Sequence, residues 1–184
     1  MELERIGRVL QAMKERGLSQ MIVCDPQSID YLTGVHVAPF ERLFALYLRA
    51  DGNHVFFLNK LFTVPETPLE KVWFSDTDDS IGMLAQRIQA GEPLGIDKEW
   101  TARFLLPLME RLPGTSFQLA SDCVDSVRAR KDAAEQELMR MNSRLNDEAM
   151  TRAVAYIREG MTERQVANFL MAQYKELGCE EPSF

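Results

Sequence analysis

Two histidines, His36 and His54, stand among the 184 residues of this chain. A metal centre built from imidazole and carboxylate ligands needs about three or four protein groups at compatible spacing. Neither histidine has a second ligand at i+2 or i+4, and His54 falls in a strand-like run where a surface or cross-strand role is expected. Asp76, Asp78 and Asp79 gather three carboxylates. They lack the alternating glycine and distant glutamate of a calcium loop, and helix capping accounts for them better. Cys24, Cys123 and Cys179 are odd in number and far apart, with no C-x-x-C. They read as reduced thiols rather than a disulfide framework or zinc site. No glycine-rich phosphate loop and no G-x-S-x-G elbow occurs. The residues offer no complete catalytic set, so no catalytic residue and no metal ligand is assigned.

Charge narrows the partners. The net charge is −7, from 21 Lys and Arg against 28 Asp and Glu. An acidic chain without a basic stripe is poorly suited to a phosphate backbone, so no nucleic-acid role is expected. The densest basic run, Arg128-Ala129-Arg130-Lys131, sits among Asp122, Asp125, Asp132 and Glu135 and reads as a solvated, charge-balanced segment. No apolar run approaches the roughly 20 residues of a membrane span, and Met1-Glu2-Leu3-Glu4-Arg5 has no signal-peptide character. A cytoplasmic location is expected.

The elements that must position any site follow from periodicity and punctuation. Leu3, Ile6, Val9, Leu10 and Met13 recur at helical spacing, and Gly17 stops that helix. Met21 to Cys24 is wholly apolar, as a strand buried on both faces would be, and Asp25-Pro26 ends it. Ser28 to Leu32 makes a short turn or helix closed by Gly34. Leu43–Arg49 and His54–Leu58 are strands joined through Asp51-Gly52-Asn53, a hairpin signal because Gly and Asn accept positive φ. Lys71–Phe74, Pro93–Ile96 and Ser116–Leu119 are further strands. Between them lie one helix capped by Asp78 or Asp79 and carrying Ile81, Leu84, Ala85 and Ile88 inward, and one capped by Thr101 and carrying Phe104, Leu105, Leu108 and Met109 inward, with Pro107 kinking it. This order predicts a layered α/β/α domain with a mixed sheet, closing near Val127.

The remainder changes character. Asp132-Ala133-Ala134-Glu135 and Thr162-Glu163-Arg164-Gln165 are capping boxes. The first opens a helix striped by Ala134, Leu138, Met141, Leu145, Ala149, Ala153 and Tyr156, ending at Gly160. The second opens a helix striped by Val166, Ala167, Leu170, Met171, Tyr174 and Leu177, ending at Gly178. Two such helices cannot make an independent core. A covering sheet is expected to begin at Glu181-Pro182-Ser183-Phe184, which implies a truncated or separately expressed part of a longer protein, and the uncovered stripes predict self-association.

Several stretches, in order, resemble one family: the metallopeptidases that include Xaa-Pro aminopeptidase, prolidase and creatinase. Ser28-Ile29-Asp30-Tyr31-Leu32-Thr33-Gly34 is similar to its "N-I-x-Y-L-T-G" turn, with Ser for Asn. Leu94-Gly95-Ile96-Asp97 is similar to its "G-hydrophobic-D/E" strand end. Val127 through Arg140 resembles the "R-x-x-K-[ST]-x-x-E-[IL]-x-x-[ML]-R" opening of the catalytic domain, departing at Asp132 and Gln136. Gly160-Met161-Thr162-Glu163 matches the recurrent "G-[MV]-T-E".

The resemblance implies a creatinase-type N-terminal domain over residues 1–127. Residues 128–184 would be a linker and the first two helices of an incomplete pita-bread peptidase domain. It implies a parent enzyme that cleaves the bond before proline in short proline-containing peptides, using two divalent ions (Mn, Co or Zn) held by two Asp, one His and two Glu beyond this chain. This chain would then be inactive, with no cofactor of its own, and would shape the cleft of a homodimer. The loop after Gly34 is the place for that role: His36, Glu41 and Arg42 become substrate-contact candidates, with His36 and Arg42 meeting a peptide carboxylate across the subunit boundary. A solvated loop in which Arg42 pairs weakly with Glu41 is the alternative. A non-catalytic binding or assembly module, or a creatinase-type amidinohydrolase, stays open on the same fold.

Overall fold

A computed structural model describes residues 3–179. The chain divides into two compact units, Met1–Arg130 and Lys131–Phe184.

In the first unit six strands form one mixed sheet in the order β4-β3-β2-β1-β5-β6. They are β1 Gln20–Val23, β2 Ala45–Arg49, β3 Val55–Asn59, β4 Glu70–Phe74, β5 Leu94–Ile96 and β6 Phe117–Leu119. β2 runs antiparallel to both β1 and β3, while β3–β4, β1–β5 and β5–β6 are parallel pairs. Every strand except β2 therefore ends at the same edge of the sheet, where β2 begins. That edge is where an open α/β sheet places its ligands.

The helices cover both faces. Alternation along the strands sends Met21, Val23, Leu46, Leu48, Phe56 and Leu58 to one face, where they pack against Ile6, Val9 and Met13 of α1 (Leu3–Glu15), Ile29 and Leu32 of α2 (Pro26–Thr33) and Val124 and Val127 of α5 (Asp122–Ala129). Ile22, Ala45, Tyr47, Val55 and Phe57 face the other way, against Ile81 and Leu84 of α3 (Ser80–Ala85) and Leu108 of α4 (Ala102–Arg111). The layered α/β/α fold with a mixed sheet is as the sequence predicts. All four residues of β1 are buried, as its lack of alternation requires.

Three local expectations change. α5 is a helix that the sequence reading passes over, because its apolar positions are few: Cys123, Val124 and Val127 are its buried residues. Met109, expected inward, is 42% exposed, because the buried line of α4 narrows to Leu108. Arg128, expected in a solvated run, folds its side chain back onto the end of β1, as described below.

The second unit is a helix pair, α6 (Ala133–Tyr156) and α7 (Glu163–Glu176). Both capping boxes are present. Asp132 accepts from Glu135 N at 2.9 Å while Glu135 accepts from Asp132 N at 3.0 Å, and Thr162 and Gln165 reciprocate at 3.3 and 2.8 Å. The helices join through small residues and one aromatic stack: Ala149 and Ala153 are buried, and Tyr156 lies parallel to Phe169 at 3.8 Å. Within the striped positions, Leu138, Met141 and Met171 remain exposed. Glu181–Phe184, where a covering sheet is expected to begin, lies outside the described residues.

Candidate functional site

The edge where the parallel strands end is organised by two aspartates. Asp25 follows β1 and caps α2, accepting from Gln27 N at 3.3 Å, Ser28 N at 3.0 Å and Ser28 Oγ at 2.6 Å. Pro26 at the first helical position lacks the N–H that would go unpaired there. Arg128 Nη1 then donates to Asp25 Oδ2 at 3.1 Å and to Ser28 Oγ at 2.9 Å, tying α5 to the first turn of α2. Asp97 follows β5 and is 5% exposed. One of its oxygens accepts from Cys24 N at 3.2 Å and Asp25 N at 3.1 Å, and the other from Glu99 N at 3.0 Å and Ser121 Oγ at 3.4 Å. A single carboxylate thus joins the segments following β1, β5 and β6.

The loop from Val35 to Phe44 enters β2 at the same edge. Val35 and Val37 are buried, so His36 between them points outward, its side chain 88% exposed and its Nδ1 3.3 Å from Asp30 of α2. Phe40 is the sole non-glycine residue of positive φ among the described residues (51°), and it is 85% exposed. A left-handed phenylalanine costs roughly 1–2 kcal/mol, so the loop must be braced. Arg42 Nε and Nη2 both reach the Asp76 carboxylate at 3.1 Å, and its Nη1 reaches Glu41 at 3.0 Å. Asp76 also accepts from Asn59 Nδ2 at 2.8 Å, and Arg103 Nη1 donates to the Glu41 carbonyl at 3.3 Å. The three sequence-expected contact residues are therefore held differently: Arg42 is engaged on both edges of its guanidinium, Glu41 lies beside it, and His36 projects into solvent.

The Arg42 tie has a pH signature. Hydrogen bonds from Arg42, and then from Asn59, hold the Asp76 carboxyl below the usual carboxylate range. The unfolded chain then takes up the proton first as pH falls. The tie contributes above an unfolded pKa of about 4 and is lost as pH drops through the lower folded value. Asp76→Asn should lower Tm slightly at pH 7, and the difference from wild type should shrink as pH falls below the unfolded carboxylate range; a pH-independent gap would show that this pairing is not the cause.

Between this loop and the opening of α4 lies a cavity of about 280 Å³, with Phe40, Arg42, Glu99, Trp100 and Phe104 among its walls. None of Asn59, Glu99, Trp100 or Arg103 was singled out by the sequence as part of a site, and Asp76, weighed there as a cation-loop carboxylate and read as a helix cap, instead holds Arg42 and Asn59. The available signal was Asp97, a carboxylate ending a strand too apolar to be exposed.

A model of the creatinase/prolidase N-terminal domain matches residues 5–130. The chain belongs to the creatinase/prolidase family. Residues 137–184 match metallopeptidase family M24. An uncharacterized peptidase of Staphylococcus aureus (strain MSSA476) is 28% identical over 187 residues, covering 99% of this chain and 52% of that protein. The dipeptidase PepE from Mycobacterium ulcerans shares the structure with a TM-score of 0.84 at 26% identity, over 95% of this chain and 49% of that one. A recombinant prolidase from Thermococcus sibiricus shares the fold with a TM-score of 0.82 at 23% identity, over 95% and 50%. The chain thus spans about half the length of the curated relatives it matches.

The motifs that carry the resemblance to the creatinase/prolidase family have structural work here. In Ser28–Gly34, Ser28 joins Asp25 to Arg128, Ile29 and Leu32 fill the core, Thr33 Oγ1 donates to Ile29 O at 2.6 Å, and Gly34 closes the helix at φ 71°. Among the described residues no group of three or more His, Cys, Asp or Glu side chains is placed to hold a metal ion. The carboxylates that come closest in sequence have other partners: Asp76 holds Arg42, Asp78 accepts from Ser75 N at 2.7 Å, and Asp79 caps α3 through Gly82 N at 3.0 Å and pairs with Arg111 at 2.9 Å. These residues do not fit the family's divalent ions. No helix among the described residues is long and apolar enough to cross a membrane.

Proposed function

We propose that this chain is the N-terminal portion of a cytoplasmic, homodimeric, proline-specific metallopeptidase, a Xaa-Pro dipeptidase or aminopeptidase. Its first unit shapes the cleft in which the bond before proline is cleaved. The observation that carries this reading is the order of the family matches: creatinase/prolidase N-terminal domain over residues 5–130, then metallopeptidase M24 over residues 137–184. In this reading the two divalent ions (Mn, Co or Zn) are bound by residues outside this chain, and the chain alone does not hydrolyse peptides. Domain one ends at about residue 127 and the peptidase domain opens with the capped helix α6.

His36, Glu41 and Arg42 divide the contact role. His36 is exposed and can meet a peptide carboxylate when protonated, while Arg42 and Glu41 set the loop that presents it. The test is an assay of the longer coding product on X-Pro dipeptides, with and without a chelator. Chelator-sensitive release of proline is the expected result. Cleavage of creatine instead would make the protein an amidinohydrolase, and inactivity on both substrates with tight binding to a protein partner would make it an assembly module. In the active enzyme, His36→Ala should raise KM for X-Pro at least about threefold with kcat little changed, the pattern of lost uniform binding.

A further inference from the structure

We propose that the cavity between the Val35–Phe44 loop and the opening of α4 binds the N-terminal residue of a peptide, taking up an apolar side chain next to a free α-ammonium group. This deepens the peptidase reading and rests on it for the choice of a peptide over other amines. The cavity measures about 280 Å³, the lower end of small-ligand sites and enough for a single residue. Pro26, Pro39, Phe40, Phe44, Trp100 and Phe104 supply apolar walls. Phe40 is held there in a left-handed conformation with its ring exposed, and binding of an apolar group would cover that ring.

The charge balance selects a cation. Asp25 and Glu99 lie in the lining, and buried Asp97 bonds to the backbone of Cys24, Asp25 and Glu99. Asp25 is answered by Arg128, whereas Glu99 makes no ion pair among the described residues. Arg42 also lines the cavity, but Asp76 and Glu41 already surround its guanidinium. The opening of α4 adds about half a positive charge, less than the full charge of Glu99. The same field acts on Cys24 in the lining: burial first, then Asp97, Asp25 and Glu99, push its thiol pKa far up. A cation among aromatic rings gains further from their faces.

The test uses the 184-residue chain carrying Trp73→Phe, which leaves Trp100 in the cavity wall as sole tryptophan and fluorescent reporter. Leucinamide, N-acetylleucinamide and N-acetylleucine are titrated in turn. Leucinamide should give a saturable change, with N-acetylleucinamide at least about tenfold weaker, equivalent to 1.4 kcal/mol, and N-acetylleucine weaker still. Glu99→Gln, a change on an exposed side chain, should bring leucinamide to the level of N-acetylleucinamide, and Phe40→Ser should weaken it at least about threefold. No saturable response, equal binding of the acetylated and free amines, or preference for N-acetylleucine would overturn the proposal. Hydrolysis plays no part in this readout. An inactive longer protein would leave leucinamide binding standing, and an active one would not rescue its absence.

Discussion

Asp97→Ala should lower the stability of the first unit by about 3–5 kcal/mol. The carboxylate accepts from three backbone N–H groups, those of Cys24, Asp25 and Glu99, and from the Ser121 hydroxyl, while being only 5% exposed. A buried donor left without an acceptor costs about 1–3 kcal/mol. The Glu99 amide sits near the surface and can recover a water, which keeps the sum below three full penalties. Against a typical total of 5–15 kcal/mol the loss is large, and at about 2–4 °C per kcal/mol it corresponds to a fall in Tm of about 10 °C. Asp97→Asn keeps one oxygen acceptor and the same shape and should cost about half as much. Thermal melts and amide exchange at Cys24 and Asp25 check both. A loss under about 1 kcal/mol for the alanine variant would mean the strand ends are held by other groups.

Gly95→Val should be nearly as damaging, through crowding instead of lost bonds. A Cβ at Gly95 would sit 2.9 Å from the Ala120 Cβ and 3.1 Å from both Cβ and Cγ of Met21. Two of those three atoms are themselves Cβ atoms fixed to backbone, so no rotamer change relieves the contact. Gly95 is paired in register with Met21 of β1 and Gln118 of β6, and the three strands would have to separate to admit a side chain. Overpacking of this kind costs about 1–3 kcal/mol for the first carbon and more for a branched side chain. We expect about 2–4 kcal/mol for valine and about 1–2 for alanine. Ala120→Gly combined with Gly95→Ala should recover part of the loss, because the two Cβ atoms compete for one space and their effects are coupled. Strict additivity in that double-mutant cycle would place the crowding elsewhere.

These two positions show why the family pattern reads as it does. The glycine and the aspartate of Leu94-Gly95-Ile96-Asp97 are one a steric and one a hydrogen-bonding requirement of the same strand. Both oxygens of Asp97 are engaged by backbone N–H groups and the Ser121 hydroxyl, and Gly95 brings no side chain. A family signature can therefore mark the scaffold of a site rather than its chemistry, which is why the first unit carries so much of the resemblance while presenting no ion-holding set among its described residues.

Local chemistry was readable along the chain wherever a rule acts over a few residues. The capping boxes at Asp132 and Thr162, the Asp51-Gly52-Asn53 hairpin, the apolar β1 and the αL stop at Gly34 each follow from neighbours within about four positions, and each is present. The layered mixed sheet follows from their order. What stayed hidden depends on residues far apart in sequence: Arg128 against Asp25, Asp76 against Arg42, Asp97 against Cys24, and the cavity that Phe40 and Trp100 both line. α5 was missed for a related reason, since its few apolar residues make a helix only when packed against α1 and α2. Periodicity reports what a segment would bury, while the partner of a charged side chain is set by which strand ends the sheet brings to one edge, and that follows from folding the whole first unit.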